Sequence, residues 1–74
     1  MQKRSLSIAG HRTSLALERE FWSALDAAAA KRGLSLAGLV GEIDRARQGG
    51  NLSSAVRVFL LAEAERGTEN PPKT

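Results

Sequence analysis

The chain has 74 residues, with 11 basic and 8 acidic side chains, a net charge of +3 and no cysteine. A chain of that length makes one small domain with a modest core, and the lack of cysteine excludes disulfides and cysteine-ligated zinc as its staples. No apolar run approaches the roughly 20 residues that span a bilayer, and Met1 to Gly10 lacks the long apolar stretch of a secretion signal, so the expectation is a cytoplasmic protein with no membrane partner.

The charge is unevenly placed. Lys3, Arg4 and Arg12, with the lone His11, precede the first acid, Glu18, and beyond that point acids and bases balance. The +3 is therefore the charge of the N-terminal segment. Ser5-Leu6-Ser7-Ile8 alternates briefly and Ala9-Gly10 interrupts it, so residues 1–10 read as a flexible basic arm. Thr13 to Leu17 reads as a strand, with Thr13, Leu15 and Leu17 on one face and Arg12, Ser14 and Ala16 on the other. One strand cannot satisfy its own edges. The rest of the chain offers no good partner, so the expected partner is the same strand of a second copy.

Glu18 to Arg32 reads as a first helix, with acids near its start and Lys31-Arg32 near its end, as the helix dipole favours. Phe21, Trp22, Leu25, Ala28 and Ala29 form its apolar stripe, which makes Trp22 a core or interface residue, and Gly33 is a natural stop. Ser35 is a natural N-cap for a second helix carrying Leu36, Leu39, Val40 and Ile43. Gly38 and Gly41 each cost that helix about 1 kcal/mol relative to alanine, a loss that often marks a close backbone contact. After Gln48-Gly49-Gly50, either Asn51 or Ser53 caps a third helix with Leu52, Ala55, Val56, Phe59 and Ala62 on its apolar side. Gly67 should stop it. Residues 11–66 are then the folded domain and 67–74 a disordered tail.

Catalysis has little to work with. There is no cysteine nucleophile, no histidine with a spaced carboxylate partner and no glycine-rich phosphate loop ending in Gly-Lys-Ser/Thr. A solitary His11 makes a poor metal site. The expectation is a protein that is not an enzyme and uses no cofactor and no metal. A basic strand ahead of helices instead suits contact with an anion such as DNA.

Strand, helix, Gly-Leu-Ser and helix, in that order, resemble the ribbon-helix-helix proteins. His11-Arg12-Thr13-Ser14-Leu15-Ala16-Leu17-Glu18 is similar to their ribbon strand, and Gly33-Leu34-Ser35-Leu36-Ala37-Gly38-Leu39-Val40 to their turn and second helix. Ala9-Gly10-His11-Arg12-Thr13-Ser14, Phe21-Trp22 and Asn51 to Phe59 resemble a small bacterial subfamily with an added C-terminal helix. In an alternative register, Leu52-Ser53-Ser54-Ala55-Val56-Arg57 resembles the start of the second helix, and Ser35 to Arg47 is an insertion.

The resemblance implies a mainly α fold: one N-terminal strand pairing in an intertwined homodimer, then three helices. It also implies a DNA-binding regulator of transcription that inserts a two-stranded ribbon into the major groove. Carried onto this sequence, Arg12, Ser14 and Ala16 face the bases, and Ser35, Leu36 and Ala37 hold a phosphate through helix N-terminal amides. Lys3, Arg4 and His11 add attraction to the backbone. Ala16 is short for a reading position and offers at most a contact to a thymine methyl. The alternative is a dimeric protein-interaction module, or an antitoxin-like adaptor with a protein partner, that keeps the fold without reading DNA sequence. Phe59-Leu60-Leu61 supplies more apolar area than one stripe needs.

Overall fold

The computed structural model describes residues 1–68. Two strands, β1 (Gln2–Ile8) and β2 (His11–Leu17), precede three helices, α1 (Arg19–Arg32), α2 (Leu36–Ala46) and α3 (Leu52–Thr68). The helix α3 runs through Gly67 instead of stopping there. The rest of the tail expected over 67–74 lies outside the described residues.

The N-terminal segment is a strand and not a flexible arm. Residues 2–8 form a strand that pairs antiparallel with β2 of the same chain, from Gln2 opposite Leu17 to Ile8 opposite His11. Thus the ribbon strand expected to need a second copy finds its partner in its own chain. Ala9 and Gly10 both have positive φ, 53° and 82°, as a two-residue type I′ hairpin turn requires. What reads as a break in the sequence is the turn itself. The inward row of β1 explains why it stays down. Ile8 is buried and Leu6 packs against the core, while Arg4 crosses the ring of Trp22 with its guanidinium carbon 4.3 Å from the ring centre.

Local signals set the helix ends. Gly33 adopts the left-handed conformation (φ 68°); its amide donates to the Ala30 carbonyl and that of Leu34 to the Ala29 carbonyl, closing α1. The Ser35 hydroxyl accepts from the Gly38 amide at 3.0 Å, capping α2. The Asn51 side-chain oxygen accepts from the Ser54 amide at 2.7 Å, capping α3. Ser53, the other expected cap, donates instead to the Ala16 carbonyl at 3.2 Å. A side chain at Gly41 would meet Ile8 at 3.5 Å, an ordinary contact, so the glycine lets α2 lie close to the hairpin without being forced there.

Leu15 and Leu17 of β2, Trp22 and Leu25 of α1, Leu39 and Val40 of α2, and Val56 of α3 are the largest fully buried side chains. The stripe of α3 is rotated from the expected one: Val56 and Leu60 are buried, Ala55 and Phe59 only in part, and Ala62 is exposed.

All three aromatic side chains carry an arginine on one face, and each arginine also pairs with a carboxylate. Arg4 lies over Trp22 and pairs with Asp26, Arg32 over Phe59 with Glu63, and Arg57 over Phe21 with Glu18. These stacks tie β1 to α1 and α1 to α3. The Arg32 guanidinium, bonded to both Glu63 oxygens at 3.0 and 2.6 Å, lowers the Glu63 carboxyl from 4.5 to about 2, with Arg66 adding to the effect. Glu18 is lowered as well, first by its own backbone amide and then by Arg57. A carboxyl held low in the fold stabilises it above the unfolded value and loses that contribution as pH falls toward the folded value. Stability is therefore expected to drop as pH falls from about 4.5 toward 2. Glu63→Gln is expected to flatten part of that slope in thermal melts across the range. An unchanged slope would assign the acid sensitivity to other carboxyls.

Candidate nucleic-acid interface

Alternation along a strand sends successive side chains to opposite faces. In β1 and β2 the register sorts them into two rows. The inward row pairs Arg4 with Leu15 and Leu6 with Thr13. The outward row pairs Lys3 with Ala16, Ser5 with Ser14 and Ser7 with Arg12. Lys3, Ser5, Ser7, Arg12 and Ser14 are exposed and Ala16 half-buried.

The two rows differ in charge as well as polarity. Among the described residues, Arg4, Arg32, Arg47, Arg57 and Arg66 each stand in an ion pair, whereas Lys3 and Arg12 on the ribbon, like Arg19, Lys31 and Arg45 on the helices, stand in none. The outward face thus presents two unneutralised cations and a row of hydroxyls, with no acid in it. One edge of this ribbon is partly covered. The Ala16 carbonyl accepts from Ser53 of α3 and so points away from β1. In an antiparallel ladder the outward-row residues therefore form the closely spaced, non-hydrogen-bonded pairs.

The expected site residues separate accordingly. Lys3, Arg12, Ser14 and Ala16 share the outward face. Arg4 does not join them: its guanidinium rests on Trp22 and reaches Asp26 at 3.5 Å. His11 is exposed beside the turn, in the inward row opposite Ile8. Ser35, Leu36 and Ala37 begin α2, on a separate element. The Ser35 hydroxyl is spent on the Gly38 amide, and the first helical amides, those of Leu36 and Ala37, have no intrahelical partner. Ser5 and Ser7 were not among the expected site residues. The alternation Lys3-Ser5-Ser7 was the available signal, hidden because residues 1–10 read as an arm.

Elsewhere, a cleft of about 350 Å³ opens between the end of α2 and the start of α3, lined by Ile43, Ala46, Ala55, Val58, Phe59 and the Gly49-Gly50 turn. Val58 and Leu61 on α3 are exposed, at 64% and 58%. Among the described residues no group of three or more histidine or acidic side chains could hold a metal ion, and no helix is long and apolar enough to cross a membrane.

Neither a curated protein nor a solved structure matches the chain. A family model, that of the ribbon-helix-helix domain, matches residues 1–64. That span takes in both strands, α1, α2 and most of α3. With the antiparallel ribbon and the helices behind it, the match establishes that the chain belongs to the ribbon-helix-helix domain family.

Proposed function

We propose that this protein is a DNA-binding regulator of transcription that acts as a homodimer and lays its β-ribbon in the major groove. The family generally binds DNA, in regulators or antitoxins, and its members typically dimerise. The observation that carries the reading is the outward face of the ribbon, where Arg12 and Lys3 pair with no carboxylate among the described residues and stand beside Ser14 and Ser5. A two-stranded ribbon fits the major groove, and an arginine there can donate two hydrogen bonds to one guanine while a serine serves several bases. The free amides of Leu36 and Ala37 at the start of α2 supply a phosphate contact. The second copy is met through the helices, where Val58 and Leu61 are exposed.

Titrating the wild-type chain with duplex DNA at several salt concentrations tests this. Binding is expected to weaken steeply as salt rises, with a log–log slope of roughly 0.9 for each phosphate neutralised, and one duplex is expected to win over random competitors. No binding to any duplex at about 50 mM salt would overturn the reading.

A protein-interaction module is the second reading, favoured by the apolar cleft beside Phe59 and by exposed Val58 and Leu61. A protein partner that Val58→Asp releases, from a chain that ignores DNA, would support it.

A further inference from the structure

The two strands are near copies of each other. Lys3-Arg4-Ser5-Leu6-Ser7-Ile8 and Arg12-Thr13-Ser14-Leu15-Ala16-Leu17 both run basic, polar, serine, leucine, small, aliphatic. The pairing register gives this likeness a geometry. Ser5 lies opposite Ser14, Lys3 opposite Ala16 and Ser7 opposite Arg12. A two-fold axis through the Ser5–Ser14 pair therefore carries Lys3 onto Arg12, Ser7 onto Ala16, Leu6 onto Leu15 and Ile8 onto Leu17. The inward row obeys the same relation in its burial, since Ile8, Leu15 and Leu17 all enter the core. One chain thus holds an approximately two-fold ribbon, with a cation at each end of its outward face and a pair of hydroxyls at the centre.

We infer that both strands of one chain read DNA, with Lys3 and Ser5 of β1 contacting base edges alongside Arg12 and Ser14 of β2. This rests on the DNA-binding reading above and says which groups do the reading. Ala16, too short to reach far, has the long side chain of Lys3 directly across the ribbon, and the amine donates where Ala16 has nothing to donate. The site is asymmetric, because lysine answers arginine and serine answers alanine. Lys3 and Arg12 stand at opposite ends of the face, four residues apart along the strands, or about 13 Å at 3.3 Å per residue. At 3.4 Å per base pair, they address base pairs about four steps apart. Charge supports the assignment. Arg4, the neighbouring cation, is drawn inward to Trp22 and Asp26, while Lys3 pairs with no acid among the described residues.

The test is selection from a pool of random-sequence duplexes by the wild-type chain, then by Lys3→Ala, Arg12→Ala and Arg45→Ala. Arg45 is exposed on α2 and belongs to neither row of the ribbon, so its variant controls for the loss of one charge; circular dichroism confirms that each variant folds. Lys3→Ala is expected to lose about tenfold on the preferred duplex and to relax selection at one end of the motif. Arg12→Ala is expected to relax the other end, and Lys3→Arg to retain a preference. If Lys3→Ala weakens all duplexes evenly, as Arg45→Ala does, or leaves binding unchanged, while Arg12→Ala still relaxes selection, β1 is no reader and only this inference falls. If the wild-type chain selects no duplex, the DNA-binding reading falls and the inference with it.

Discussion

Trp22→Ala is expected to remove most of the stability of this domain. The side chain is 1% exposed and among the largest in the core. Truncating a buried tryptophan to alanine costs about 3–5 kcal/mol, and a chain of this size has roughly 4–11 kcal/mol in all. The loss spreads because Trp22 holds the ribbon. Its Nε1 donates to the Gln2 carbonyl at 2.9 Å, and Arg4 rests on its ring. Without the indole, the first half of β1 loses both anchors, and the Arg4–Asp26 pair loses the surface that positions it. Trp22→Phe separates the two contributions. It keeps much of the apolar volume and gives up the hydrogen bond, whose acceptor belongs to an exposed residue and can turn to water, for a further loss of about 1 kcal/mol. Urea unfolding followed by far-ultraviolet circular dichroism measures this, since the only tryptophan fluorophore disappears with the substitution. Trp22→Ala within about 1 kcal/mol of wild type would mean that the tryptophan site is not the keystone described.

Arg12→Ala is expected to cost little stability and much recognition. Arg12 is exposed and takes part in no ion pair among the described residues, so its removal should stay within about 0.5 kcal/mol of wild type in the same unfolding measurement. On DNA, the loss of a bidentate contact to guanine is worth about 1–3 kcal/mol, or about five- to 150-fold in affinity for the preferred duplex. Binding to unrelated duplexes should fall far less, by the share of one phosphate-scale charge. Arg12→Lys keeps the charge without the planar fork of donors, so it is expected to restore much of the nonspecific binding and little of the discrimination. Equal losses on preferred and unrelated duplexes would move Arg12 from the bases to the backbone.

The helices were legible because each end carries a residue whose local chemistry is hard to mistake. Gly33 takes a left-handed conformation, and Ser35 and Asn51 each accept from an amide three residues on. The face of β2 was legible too, since Leu15 and Leu17 alternate with Arg12, Ser14 and Ala16. The hairpin was not. Its turn places alanine at the first left-handed position, where asparagine, aspartate or glycine is the usual signal. The strand β1 hides for a second reason. Its inward row includes Gln2 and Arg4, polar residues that break the apolar–polar rhythm and whose place is explained by Trp22, a partner 18 residues beyond Arg4 in the sequence. With β1 unseen, β2 lacked a partner and a second copy took that role. The likeness between residues 3–8 and 12–17 is short and conservative only in character, and it gains meaning from a register that pairs the two serines. On α3, Val56 and Leu60 enter the core while Ala62 is exposed, so the helix turns inward a different line of residues from its most continuous apolar one.

The ribbon closes within one chain, and the absence of native cysteine allows a direct test. Ser5 and Ser14 face each other across a closely spaced, non-hydrogen-bonded position, where the Cα atoms are about 4.5 Å apart, within reach of a disulfide. The double variant Ser5→Cys, Ser14→Cys is oxidised at micromolar concentration and run on a non-reducing denaturing gel, with thiols counted. The fold described here predicts a product of one-chain mass without free thiols, whether or not two chains associate through their helices. A product of two-chain mass, joined between Ser5→Cys of one copy and Ser14→Cys of the other, would contradict it and put the ribbon between chains.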